Sequence, residues 1–137
     1  MTTPIELWKN LQARILGGPQ PHTRVRGQSA EAAATRYLRR QGYRLLERNL
    51  HVAGGEIDLL AVQDGWLVIV EVRSYKQQGG HPPRETLSAD KQRRLRRMAQ
   101  ELHKRPLWRD KPVRIDLVEV ATDARDRAVG FEIIKGI

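Results

Sequence analysis

Apolar residues recur along this chain at two periods. Ala30, Ala33, Ala34, Tyr37 and Leu38 share one side of a helical repeat, predicting a helix over 28–41 that Gly42 stops. YRLLERNLH, 43–51, then reads as a strand. GEIDLLAV and WLVIVEVR alternate on either side of Asp64-Gly65, the strongest short-range signal for a hairpin. A second helix is predicted over 86–104, where Leu87, Leu95, Met98 and Leu102 form a stripe. VRIDLVEVAT and VGFEIIKGI close the chain as two strands around a charged turn, and SYKQQGGHPPRE, 74–85, reads as a polar loop with room to move. Ahead of all this, Thr3-Pro4-Ile5-Glu6 is a helix start, Ile5, Trp8, Leu11 and Ile15 make one stripe, and 17–27 is a flexible linker. The order is α-α-β-β-β-α-β-β. It predicts an α/β fold with one mixed sheet flanked by helices, 1–26 being a helical appendage with its linker and 27–137 the domain.

The hairpin carries charge where core is expected. With Asp64 and Gly65 as a two-residue turn, Gln63 pairs with Trp66, Asp58 falls opposite Glu71, and Glu56 falls opposite Arg73. Alternation puts Glu56, Asp58, Leu60 and Val62 on one face of their strand, and Leu67, Ile69, Glu71 and Arg73 on one face of theirs. Opposed side chains have Cβ atoms about 4.5–5.5 Å apart, where two carboxylates repel. Either one of them keeps a proton or a cation sits between them. Two oxygen donors with no His or Cys nearby in sequence suit Mg²⁺ or Mn²⁺ better than zinc. A solvated surface ladder with Glu56 paired to Arg73 accounts for the same spacing without a metal.

Charge then narrows the partners. A length of 137 residues fits one domain, and Lys plus Arg exceed Asp plus Glu by nine. Between 84 and 114 there are eleven basic residues against four acidic ones, so seven of those nine charges sit in one segment. Such a patch matches a polyphosphate. There is no cysteine, which excludes disulfides and thiolate zinc sites. No apolar run approaches a membrane span. Glu6, Lys9 and Arg14 interrupt the apolar positions a signal peptide needs, so a cytoplasmic protein with no membrane partner is expected.

The pattern GEIDLLA, a turn, then VIVEVR resembles the core of the PD-(D/E)xK nuclease superfamily. More narrowly it is similar to the bacterial YraN-like family, itself similar to archaeal Holliday-junction resolvases. The resemblance spans about 27–122 and includes GQSAEAAATRYLRRQGY and VRIDLVEV. It implies a restriction-endonuclease-like fold and an endonuclease selective for junction or branched DNA, DNA ahead of RNA, acting as a two-fold dimer. It makes Asp58 and Glu71 the metal ligands, Glu31 an assisting acid, and position 73 the basic residue beside the scissile phosphate. The superfamily most often has lysine there, whereas this chain has Arg73. Arginine holds a phosphate and neutralises it but is no general base. The same fold without turnover, a nucleic-acid-binding module, is the alternative.

Other residues are open to two readings. Glu31 in a first helical turn also serves the helix dipole. Lys91 lies within the apolar stripe of the basic helix. It either reaches the hairpin carboxylates and supplies the ammonium missing at 73, or its stem lets the amine reach water. Arg93, Arg96, Arg97 and Lys104 lie away from the stripe and, with Arg94, make up the nucleic-acid-contacting set. Asp116, alone in an apolar strand, either orients Arg73 or Lys91 or serves structure. His22, His51, His81 and His103 show no metal-ligand spacing.

Overall fold

Asp64 and Gly65 both take positive φ, 49° and 83°, so the Asp-Gly turn is the mirror-image type whose twist suits a hairpin. Register follows from it: Gln63 pairs with Trp66, Val62 with Leu67 and Leu60 with Ile69, as the two-residue turn requires. A computed structural model describes residues 25–137, so the expected N-terminal helix and nearly all of its linker lie outside the described residues. The elements are α1 (Val25–Arg40), β1 (Arg44–Val52), β2 (Gly55–Gln63), β3 (Trp66–Lys76), α2 (Pro83–Thr86), α3 (Ala89–His103), β4 (Val113–Thr122) and β5 (Ala128–Lys135). They form one five-stranded sheet in the order β1-β2-β3-β4-β5. Only β3 and β4 run parallel, and the α2–α3 segment makes that crossover.

Helices cover both faces of the sheet. The small residues of α1 let it approach closely, and Ala34 and Leu38 pack on Leu45, Leu59, Ala61, Val68, Val70, Val118 and Val120. Tyr37 stacks on Phe131 with ring centroids 4.6 Å apart. Gly42, at φ 86°, ends α1, and the Tyr43 amide returns to the Leu38 carbonyl at 3.0 Å. On the opposite face α3 buries Leu95, Met98 and Leu102 against Leu46, Leu60, Leu67, Ile69 and Ile115. Along β3 the two layers alternate as expected, Leu67 and Ile69 on one side and Val68 and Val70 on the other.

The helix expected over 86–104 is divided. Pro83 opens a short helical turn, and Ser88 caps α3 by accepting the Lys91 amide at 3.1 Å. Leu87 therefore precedes the stripe rather than belonging to it. The expected mobile loop is also largely built: β3 continues to Lys76, and the Gln77 amide bonds the Thr122 carbonyl at 2.9 Å. A Cβ at Gly80 would lie 2.3 Å from the Lys76 carbonyl oxygen, so nothing larger than glycine fits there. Gly80→Ala is expected to cost about 1–3 kcal/mol, read as a lower urea midpoint. An unchanged midpoint would show that this turn has no fixed place. Among the described residues no helix is long and apolar enough to cross a membrane.

Candidate active site

The site is built where the central hairpin comes apart. The β2–β3 ladder ends at Leu59 with Val70, and beyond it each strand keeps only its outer neighbour. Ile57, Glu56 and Gly55 pair with Leu50, His51 and Val52 of β1, while Glu71 to Lys76 pair with Leu117 to Thr122 of β4. Asp58 is the first residue past the last pair, and its Oδ2 accepts the Val72 amide at 2.9 Å, bridging the gap with a side chain. The alternation of β2 changes at the same point. Leu59 belongs to the α1 layer, but Ile57 packs with Leu60 in the α3 layer. In β1, Asn49 between Arg48 and Leu50 has φ 52°, a left-handed conformation that asparagine tolerates better than most residues.

Into this wedge the two layers send one acid and one base. Burial and the Glu71 carboxylate push the Asp58 carboxyl up to about 7; Glu31 pushes the same way, and the Val72 amide and Lys91 oppose it. Glu71 is only 3% exposed. Its Oε1 receives Arg73 Nε at 3.0 Å and faces Lys91 Nζ at 3.4 Å. Its Oε2 is buried with no partner among the described residues. The structure thus brings Asp58, Glu71, Arg73, Lys91 and Glu31 into one neighbourhood. Because α1 begins at Val25, Glu31 lies in its second turn, and the helix dipole no longer accounts for it.

Two expectations are corrected. Glu56 does not face Arg73, because the strands have parted before reaching them; it lies 3.7 Å from His51 across β1, and Arg73 turns to Glu71. The four hairpin charges do not share one face, since β2 changes sides at Asp58. Of the two readings of Asp116 the structural one holds: fully buried, it accepts Tyr43 Oη at 2.7 Å, Arg114 Nε at 2.9 Å and the Gly136 amide at 3.1 Å. Burial and Asp116 raise the Tyr43 phenol well above its usual range, so the hydroxyl remains a donor in that network.

One ion pair went unnoticed in the sequence. Glu119, 2% exposed in β4, accepts the Arg84 amide at 2.8 Å and Arg84 Nε at 2.9 Å, fastening α2 to the sheet. Only the acid within VRIDLVEV hinted at it. Arg84 also reaches Glu132 at 2.6 Å, and these two carboxylates raise its guanidinium further above its ordinary range.

The basic face of α3 divides by partner. Arg93 is paired with Asp90, Lys104 with Glu101 at 3.0 Å, and Arg96 reaches Gln92 at 3.5 Å. Arg94 and Arg97 are exposed with no acidic partner among the described residues. They are the charges most available to an anion.

Among the described residues no three His, Asp or Glu converge tightly enough to enclose a metal by themselves. Two carboxylates, one with an orphaned buried oxygen, still fit a hard cation whose other ligands are water. Asp58 and Glu71 are the residues that would hold it.

A mixed five-stranded sheet with helices on both faces, open at a pair of acids, defines a restriction-endonuclease-like α/β protein. The chain belongs to the family described as "Uncharacterised protein family UPF0102", whose model matches residues 30–120. A UPF0102 protein of Moorella thermoacetica is 43% identical over 113 residues, covering 82% of this chain and 94% of that one. One from Persephonella marina is 40% identical over 100 residues, covering 72% and 85%. The matched region contains α1 from Ala30, the whole hairpin and α3, and so every residue of the candidate site.

Proposed function

We propose that this protein is a metal-dependent endonuclease that hydrolyses phosphodiester bonds in DNA, selecting junction or branched structure over sequence. The observation that carries the reading is the Glu71 carboxylate, buried with one oxygen unpartnered beside the strongly perturbed Asp58. A buried acceptor without a donor costs free energy that a bound cation would recover. Asp58 and Glu71 would hold Mg²⁺ or Mn²⁺, which would supply Lewis acidity for activating a water. Arg73 and Lys91 flank Glu71 and neutralise the phosphate as negative charge develops on its oxygens. Lys91, facing Glu71 from α3, offers the ammonium that position 73 lacks, and Glu31 adds negative charge beside Asp58.

Calorimetric titration with Mn²⁺ tests this directly. Wild type is expected to bind, and Glu71→Ala to bind at least about tenfold more weakly, since a buried charged ligand is lost. A cleavage screen over branched DNA in Mn²⁺ should then find a substrate that wild type cuts and Glu71→Ala does not. Equal Mn²⁺ heats from both proteins would remove the metal site. A symmetric junction calls for two copies, so sedimentation with junction DNA should show a dimer on it.

One observation favours a non-catalytic nucleic-acid-binding module. Arg73 and Lys91 already neutralise Glu71 Oε1 without any metal. Salt-dependent DNA binding with no cleavage in Mg²⁺ or Mn²⁺ is the result that selects that reading.

A further inference from the structure

Beside the carboxylates lies a cavity of about 250 Å³ lined by Arg73, Ser74, His81, Thr86, Ser88 and Lys91, with Pro83 and Leu87. Its chemistry is that of an anion site. Arg73 uses only Nε on Glu71, so among the described residues its two terminal nitrogens have no partner. Lys91 has three donors and one loose contact. Ser88 Oγ accepts the Lys91 amide and keeps its own proton to donate, and its capping role places the N-terminus of α3 at the rim. Among the described residues no Trp, Tyr or Phe lines the walls, so a base has none of these rings to stack on there. The volume falls below the roughly 300–1,000 Å³ of pockets that enclose a whole small molecule.

The far wall is held in place. Buried Glu119 fixes both the main chain and the side chain of Arg84, and Pro83 beside it is buried. The cavity is therefore a standing feature between Arg73 on β3 and Lys91 on α3.

We propose that this cavity binds the phosphodiester adjacent to the one that is cut, with Arg73 and Lys91 shared between the two phosphates, so that substrate is recognised as a strand running past the carboxylates toward α2. This deepens the nuclease reading and rests on it for the word "adjacent". The anion site itself can be tested without metal or turnover. Titration of inorganic phosphate into the metal-free protein in EDTA, followed by amide chemical shifts, is expected to move Ser74, Thr86 and Ser88. Thr86 is exposed, so Thr86→Glu places a carboxylate in the cavity without disturbing core, and at least a tenfold loss of phosphate affinity is expected. His81→Ala, also exposed, is the second variant and should lose about threefold. The dinucleotide TpT, which carries one phosphodiester and no terminal phosphate, should compete with phosphate for the same shifts. Shifts confined to Arg93–Lys104, phosphate affinity indifferent to both variants, or failure of TpT to compete would each overturn the subsite. A protein that passes these tests and never cuts DNA would instead remove the nuclease reading alone.

Discussion

Asp58→Asn is expected to raise the melting temperature of the metal-free protein at pH 8 by about 5 °C or more, while leaving it nearly unchanged at pH 4. The reason is proton linkage. Unfolded, the Asp58 carboxyl titrates near 3.8; folded, burial and Glu71 push it up to about 7. A raised acid stabilises the fold fully below the lower value, and that contribution is lost as pH rises through the upper one. The window is therefore about pH 4 to 7, and the loss across it is on the order of 4 kcal/mol at most. Asparagine carries no charge and can still accept the Val72 amide, so the variant should show a flat profile where wild type declines. Mn²⁺ should raise the wild-type melting temperature at pH 8, less at pH 5 where protons compete, and not at all in Asp58→Asn. The same variant should lose at least about a hundredfold in cleavage with DNA binding retained, as removing a metal ligand does in a hydrolytic centre. Parallel melting profiles for the two proteins would mean that the acids do not strain one another.

Which parts of this site were legible depends on how far each contact reaches along the chain. The turn and the register from Gln63 to Leu59 are local consequences of Asp64-Gly65, and alternation placed Ile69 and Val70 on their observed sides. Lys91 could be singled out because a cation within the stripe of Leu95, Met98 and Leu102 needs a partner, and Glu71 lies 3.4 Å away. What pattern could not show is where two paired strands stop pairing. Extending the register past Leu59 led to a Glu56–Arg73 contact, but β2 and β3 stop pairing there while each keeps its outer neighbour, β1 or β4. That parting explains how Glu31 on α1 and Lys91 on α3, from opposite layers, both act on Asp58. Glu119 and Arg84 lie 35 residues apart with no periodicity linking them, so their ion pair needed the sheet to be built first. Asp116 was marked correctly as an anomaly, but its partners Tyr43 and Gly136 lie just before β1 and just after β5, far from it along the chain.

DNA binding should depend unequally on the basic residues of α3, and this sets the second large effect. Arg93 and Lys104 already face Asp90 and Glu101, so replacing either by Ala removes charge that is locally compensated. Arg94 and Arg97 have no such partner among the described residues; Arg94 lies one turn beyond Lys91, and Arg97 lies beside Gly54 of the β1–β2 turn. They continue the positive line from the carboxylates along the hairpin, the direction a strand leaving the site would take. Each phosphate neutralised contributes about 0.9 to the slope of log affinity against log salt. Arg94→Ala with Arg97→Ala should therefore flatten that slope by about 1.8, and the double replacement by Glu should lower affinity at low salt by at least about a hundredfold. Arg93→Ala with Lys104→Ala, measured identically, should change the slope by less than about half as much. If the two pairs prove interchangeable, the helix acts as a diffuse cation and Arg94 and Arg97 have no special place in the path. If instead neither pair matters and Arg36, Arg39 and Arg40 on α1 do, the nucleic acid crosses the opposite layer, and Lys91 faces a carboxylate rather than a phosphate.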